Sequence, residues 1–304
     1  MSFSWPEGFR AGFASLVGRP NAGKSTLTNA LVGQKVAITS GRPQTTRHTV
    51  RGILHRADGQ LVLVDTPGLH RPRTLLGERL NDLVRETISE VDVVVFCLPA
   101  DEKIGPGDRY IARELAELRT PVVAVATKTD TVGRDRLAEH LVEIDQLGDF
   151  AHIVPVSAVK GEQVELLADL LLELMPESPP LYPAGELTDE PEAVMIAELV
   201  REAALEGVRD ELPHSLAAVV EEIREREPRG DRPPMLDVHV LLYVERPSQK
   251  AIVIGKGGAR LREVGTTARR GIEALLGTRV YLDIHVKVAK DWQRDPKLLQ
   301  RLGF

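Results

Sequence analysis

Directly after the apolar run Phe13–Val17, the chain reads Gly18-Arg19-Pro20-Asn21-Ala22-Gly23-Lys24-Ser25, and Thr26–Val32 continues at helical spacing. A strand, a glycine-bounded loop closing on Lys-Ser, and a helix are the context in which G-x-x-x-x-G-K-[ST] has a physical meaning. The glycines let backbone N–H groups converge on phosphate oxygens, and the helix N-terminus adds its partial positive charge. Lys24 is placed to reach the β- and γ-phosphates of a nucleoside triphosphate, and the Ser25 hydroxyl to ligate Mg²⁺. Gly18 through Thr26 are therefore assigned to a phosphate cradle. Such a loop needs an open α/β sheet around it, so this stretch decides the fold.

Outward from the loop, near-continuous apolar runs recur at Leu61–Val64, Val93–Leu98, Val122–Ala126 and Ile153–Val156, separated by amphipathic stretches. That alternation predicts a parallel sheet covered on both faces. Val50–Ala57 meets Leu61–Val64 across Asp58-Gly59, a turn pair suited to a hairpin, so one edge strand is expected to run antiparallel. The pattern ends near Met175, giving an expected first domain of residues 1–176. A Pro- and acid-rich linker is read at 177–191, and a second domain at 192–304. In the second domain the pattern predicts a helix at Val194–Gly207 and strands at Leu216–Arg226 and Met235–Glu245. Helices at Lys250–Ile254 and Ala259–Leu276 and a strand at Val280–Val288 follow, an α-β-β-α-α-β order.

The other candidate nucleotide residues lie at strand ends. Asp65-Thr66-Pro67-Gly68 follows Leu61–Val64, which puts a carboxylate at the crevice outside the sheet. There Asp65 can hold Mg²⁺ through water while the Gly68 N–H approaches the γ-phosphate. In Gln44-Thr45-Thr46-Arg47-His48 either threonine could complete the metal shell, Thr46 being preferred, which would make the loop an order–disorder switch. Thr127-Lys128-Thr129-Asp130 follows Val122–Ala126, and Ser157-Ala158 ends the last strand. Asp130 can accept from the ring N–H and exocyclic amine of guanine, a donor pair that adenine lacks. The Lys128 stem can lie along the base, and the Ser157-Ala158 backbone can donate to O6. This favours GTP over ATP.

Composition alone points elsewhere. The net charge of −6 argues against a polyanion-binding protein. Counted by segment, residues 246–304 hold thirteen Lys/Arg against five acids, +8, so the preceding 245 residues carry −14. That asymmetry points to nucleic acid or a membrane surface. Gly255-Lys256-Gly257-Gly258 lies between two expected helices, as the backbone clamp of a KH domain does. Lys256, Arg260, Arg262, Arg269 and Arg270, with Lys287 and Lys290 further on, supply the charge for a single-stranded polyanion, RNA being the one the resemblance below implies.

The ordered set GRPNAGKS, QTTRH, DTPG, TKTD and VSA resembles a translation-factor-class GTPase domain. With the second unit, the chain resembles the Era-like family of bacterial ribosome-assembly GTPases. The resemblance implies a P-loop GTPase domain plus a type II KH domain, and GTP/GDP and Mg²⁺ as ligands. It also implies slow GTP hydrolysis and a target at the 3′ end of small-subunit (16S) ribosomal RNA in 30S assembly. A monomeric cytoplasmic protein is expected, with peripheral membrane contact as the family's further property. Thr127 stands where the family carries asparagine, and its shorter hydroxyl is expected to reach less far towards the phosphate loop. Leu69 follows DTPG where Ras-like proteins carry a water-orienting glutamine, so no catalytic side chain is assigned. Asn21 matches the phosphate-loop asparagine that in related GTPases helps hold K⁺.

Rival readings are a membrane-surface switch whose tail contacts anionic lipid, and a metabolic P-loop enzyme using ATP. Trp292 is read as an anchor of the tail against its own domain rather than a stacking residue. Cys97, the one cysteine, is read as buried packing and points to a reducing compartment. The eight histidines show no metal-ligand spacing.

Overall fold

A computed structural model of the chain describes residues 5–39, 49–69, 74–206, 215–226 and 234–302. The chain forms two compact units, the first reaching Asp189 and the second running from Glu190. Thr45, Thr46 and the rest of Gln44–His48 lie outside the described residues.

The first unit holds a six-stranded sheet in the order β2-β3-β1-β4-β5-β6. Its strands are β1 (Arg10–Val17), β2 (Val50–His55), β3 (Gly59–Asp65), β4 (Val93–Pro99), β5 (Val122–Thr127) and β6 (His152–Pro155). All neighbours pair in parallel except β2 with β3. The helices are α1 (Lys24–Val32), α2 (Leu75–Glu90), α3 (Pro106–Ala116), α4 (Arg134–Asp145) and α5 (Val164–Glu173). Every residue of β3, β4 and β5 is buried, because helices cover both faces, and this is why these strands read as unbroken apolar runs. Leu16, Leu27, Leu63 and Leu171 pack on one face, and Phe96, Val84 and Ile111 on the other. Cys97 lies fully inside, and burial pushes its thiol up to about 12, so it stays protonated and acts as packing.

The hairpin differs from the expected one. Gly59 already belongs to β3, leaving Ala57 and Asp58 as the turn, closed by Arg56 N donating to Gly59 O at 2.8 Å. The glycine is needed for closeness rather than for turn geometry, since a Cβ there would sit 2.6 Å from Arg10 O. The Pro- and acid-rich stretch is also more ordered than its composition suggests. Ile53 N donates to Leu187 O (2.8 Å), and the Arg51 guanidinium meets Asp189 (2.9 Å). Gln60, 1% exposed, accepts from the backbone N–H groups of Leu181 and Tyr182. The stretch thus covers the free edge of β2, which would otherwise offer unpaired backbone groups.

The second unit contains α6 (Glu192–Leu205), β7 (Ala217–Arg226), β8 (Met235–Val244), α7 (Pro247–Ile254), α8 (Ala259–Leu276), β9 (Arg279–Val288) and α9 (Pro296–Arg301). The sheet order is β7-β8-β9, with β7 antiparallel and β9 parallel to β8. A parallel neighbour needs a crossover, and α7 and α8 supply it. Ile196, Val200, Val240, Leu242, Val264 and Ile272 form the core between sheet and helices. Trp292 is 0% exposed, with its indole N–H donating to Ser215 O at 3.0 Å, so it anchors the tail as expected.

Candidate functional site

The loop after β1 is shaped by close approaches. A Cβ on Gly18 would lie 2.7 Å from Cys97 O, so only glycine lets β1 turn there against β4. Asn21 (φ 63°) and Gly23 (φ 86°) take the left-handed conformation that bends the loop into α1. The Lys24 ammonium donates to Gly18 O (3.2 Å) and Arg19 O (3.0 Å), spanning the loop from inside. Burial pushes its pKa down from the ordinary value, while Asp65 and Cys97 pull the other way. The Ser25 hydroxyl donates to Asp65 Oδ2 at 2.6 Å, so the two proposed metal ligands, 40 residues apart, meet at one point. Thr26 follows in the first turn of α1.

The Asp65–Gly68 segment is pinned to the same loop. Thr66 donates from its hydroxyl to Leu16 O (2.6 Å), and Leu69 N donates to Gly18 O (3.2 Å). Pro67 leads into Gly68, where a Cβ would stand 2.6 Å from Pro20 N. Leu69 is 2% exposed and packs with Val17, Val84 and Phe96, so its side chain anchors the segment in the core.

The residues expected to read the base lie together at the ends of β5 and β6. The Thr127 hydroxyl donates to Ala22 O at 2.7 Å, so the expected shortfall against asparagine does not arise. Gly23 lies against the same side chain, with the Thr127 hydroxyl and Cβ both 3.5 Å from where a Cβ on Gly23 would stand, an ordinary packing distance. Lys128 has φ 56°, and its ammonium meets Asp101 at 3.3 Å. Ser157, fully buried, donates from its hydroxyl to Asp130 Oδ1 (2.7 Å) and accepts from Lys160 N (3.2 Å), which fixes the carboxylate; Ala158 follows it.

Sequence reasoning missed a bracket beside this set. The Arg19 guanidinium leaves the phosphate cradle and pairs with Asp108 (2.7 Å) and Glu102 (2.9 Å), so only its backbone belongs to the cradle. Asp108, 1% exposed, also accepts from Gly105 N (2.8 Å). Ala100 N donates to Thr127 O (2.9 Å) from the same loop. Pro99–Gly105 therefore touches both the Gly18–Ser25 loop, through Glu102 and Arg19, and the end of β5, through Ala100 and Thr127. Arg19 and Asp108 are 89 residues apart, and no local pattern links them.

In the second unit Gly255, Gly257 and Gly258 all have positive φ and Lys256 is exposed. A groove of about 520 Å³ runs beside this turn, bounded by Arg262, Gly265 and Arg269 on α8 and by Tyr281 and Ile284 on β9. The Arg262 guanidinium donates to Gly257 O (3.0 Å) and steadies the turn. Arg260 instead donates to Ala204 O (3.3 Å) and Glu206 O at the end of α6, so its charge is taken up within the unit. Arg270 and Lys290 are exposed away from the groove lining, and Lys287 lies 3.8 Å from Glu221.

A GxxxxGKS loop between strand and helix, a carboxylate at a strand end meeting its serine, and a TKTD loop on a mostly parallel sheet, together with a helix-flanked GxxG groove, define a P-loop GTPase fold carrying a type II KH module. A family model described as 50S ribosome-binding GTPase matches residues 13–128, and a KH-domain model matches residues 211–293. GTPase Era of Streptomyces coelicolor is 71% identical over 97% of this chain and 95% of its own length. GTPase Era of Nocardioides sp. is 68% identical over 97% and 96%. A crystal structure of Era in complex with MgGDPNP and nucleotides 1506–1542 of 16S ribosomal RNA superposes with a TM-score of 0.92. It is 36% identical and covers 97% of this chain and 99% of that one. The chain belongs to the Era family of GTPases. Among the described residues, no helix is long and apolar enough to cross a membrane.

Proposed function

We propose that the chain is a GTP-binding and GTP-hydrolysing switch that binds the 3′ end of 16S ribosomal RNA and acts in 30S subunit assembly in the cytoplasm. The observation that carries this reading is the fixed Asp130 carboxylate, oriented by Ser157 for a guanine edge, in one chain with a basic GxxG groove. Residues 1–176 form the GTPase domain, 177–191 the connection and 192–304 the RNA-binding domain. The Ser25 hydroxyl and Asp65 carboxylate are hard oxygen donors at one point and fit Mg²⁺, with Thr46 as a further ligand. When bound, the ion neutralises charge developing on the β- and γ-phosphate oxygens. Lys24 and the backbone of Gly18–Ser25 hold the phosphates, and Gly68 senses the γ-phosphate. Thr127, Lys128, Asp130 and the Ser157-Ala158 backbone hold the base. Lys256, Arg262 and Arg269 supply charge at the groove.

Gly257→Asp places a carboxylate where an RNA phosphate would approach the main chain. RNA affinity is expected to fall at least about tenfold while GTP affinity stays unchanged, measured by anisotropy with a 16S 3′-end oligonucleotide at fixed salt. Unchanged RNA affinity in a folded variant would overturn the reading. Binding of the protein to anionic vesicles that RNA cannot displace would favour a membrane-surface switch instead. With no water-orienting side chain at Leu69, Asn21 is assigned to a K⁺ site beside the phosphates. GTP turnover should therefore be faster in K⁺ than in Na⁺, and equal rates would remove the K⁺ assignment.

A further inference from the structure

Tyr281 is the one aromatic residue among those that line the groove, at its β9 rim, and it is 50% exposed. It sits on β9, the edge strand of the second unit's sheet, in register with Asp237 on β8. The Arg226 guanidinium stands over its ring, 5.0 Å from the centroid. Arg226 is itself held in a forked pair with Asp237, Nη2 to Oδ1 at 2.7 Å and Nε to Oδ2 at 3.1 Å. The tyrosine hydroxyl makes no hydrogen bond to a described residue. A ring kept for packing would be buried, and one kept for its hydroxyl would have a partner. This ring has neither, yet a cation fixed by a carboxylate braces it.

We propose that Tyr281, braced by Arg226 and Asp237, is a stacking platform for one unpaired base of an RNA strand lying in the groove. The proposal rests on the reading of the groove as an RNA site. A nucleobase is the matching ligand because every base offers a π-face, and stacking on an aromatic side chain tolerates sequence. The guanidinium over the ring limits its rotation, so less side-chain freedom is lost when a base stacks. The GxxG turn clamps about four nucleotides through their backbone. The ring adds contact with a base, which the clamp alone does not require.

The test uses the full chain and single-stranded RNA carrying 2-aminopurine at successive positions. Tyr281→Ala should weaken binding about tenfold and abolish the quenching of one particular 2-aminopurine. Tyr281→Phe should restore both, since the ring and not the hydroxyl is required. Arg226→Ala should keep the quenching but weaken binding by a smaller factor. If Tyr281→Ala binds like the parent while Gly257→Asp loses RNA, the platform is wrong and the groove stands. If Gly257→Asp also binds like the parent, the groove reading fails with it. A weakening by Tyr281→Ala that phenylalanine does not restore would likewise overturn stacking.

Discussion

Lys24→Ala should lose at least about 100-fold in affinity for GTP, and a smaller factor for GDP, which lacks the γ-phosphate, read by titration calorimetry, with RNA affinity of the full chain unchanged. The ammonium lies inside the phosphate loop, 3.0–3.2 Å from two carbonyl oxygens, and burial already works against its charge. A phosphate anion is the partner that rewards a buried cation. Each charge-assisted hydrogen bond contributes roughly 1.5–3 kcal/mol, so losing two of them costs about 3–6 kcal/mol. At about 1.4 kcal/mol per factor of ten, that is about 10² to 10⁴ in affinity. The glycine conformations that shape the loop do not depend on the lysine, so the fold should persist. Loss of RNA affinity without nucleotide, in a folded variant, would contradict separable modules.

Gly68→Ala should separate GTP from GDP. The added carbon would stand 2.6 Å from Pro20 N and 2.8 Å from Pro20 Cα, both backbone atoms that cannot swing aside. Leu69, locked in the core one residue later, blocks relief in that direction. The segment must move off the phosphate loop, taking the Gly68 N–H out of reach of a γ-phosphate. Misplacement of about 1 Å can cost on the order of 100-fold in rate. Single-turnover GTP hydrolysis should fall by about 10- to 100-fold, while GDP affinity, which needs no γ-phosphate contact, stays within about threefold. Equal losses for GTP and GDP would show that the glycine serves the loop as a whole.

Much of this was legible in the sequence, for a physical reason. Strands buried on both faces must be apolar throughout, so β4 and β5 announce themselves. The phosphate loop is local, so its parts lie side by side in the chain. What escaped depends on distance in sequence. Arg19 was read as part of the phosphate cradle and Arg260 as charge for nucleic acid, but the carboxylate and carbonyl partners of their guanidinium groups come from far along the chain. Thr127 looked too short because its reach was judged without knowing that Ala22 O, 105 residues earlier, lies beside the end of β5. The Pro- and acid-rich stretch read as loose, yet Gln60 and Ile53 hold its backbone along the sheet edge.

The buried indole of Trp292 has an optical consequence. The chain has two tryptophans, one in each unit: Trp5 is 48% exposed and Trp292 is fully enclosed with its N–H bonded. An ionic quencher can collide with the first and not with the second. The quenchable part of the emission therefore belongs to the nucleotide-binding unit and the protected part to the RNA-binding unit. Each unit carries its own native fluorophore, and unfolding of one can be followed apart from the other without a label.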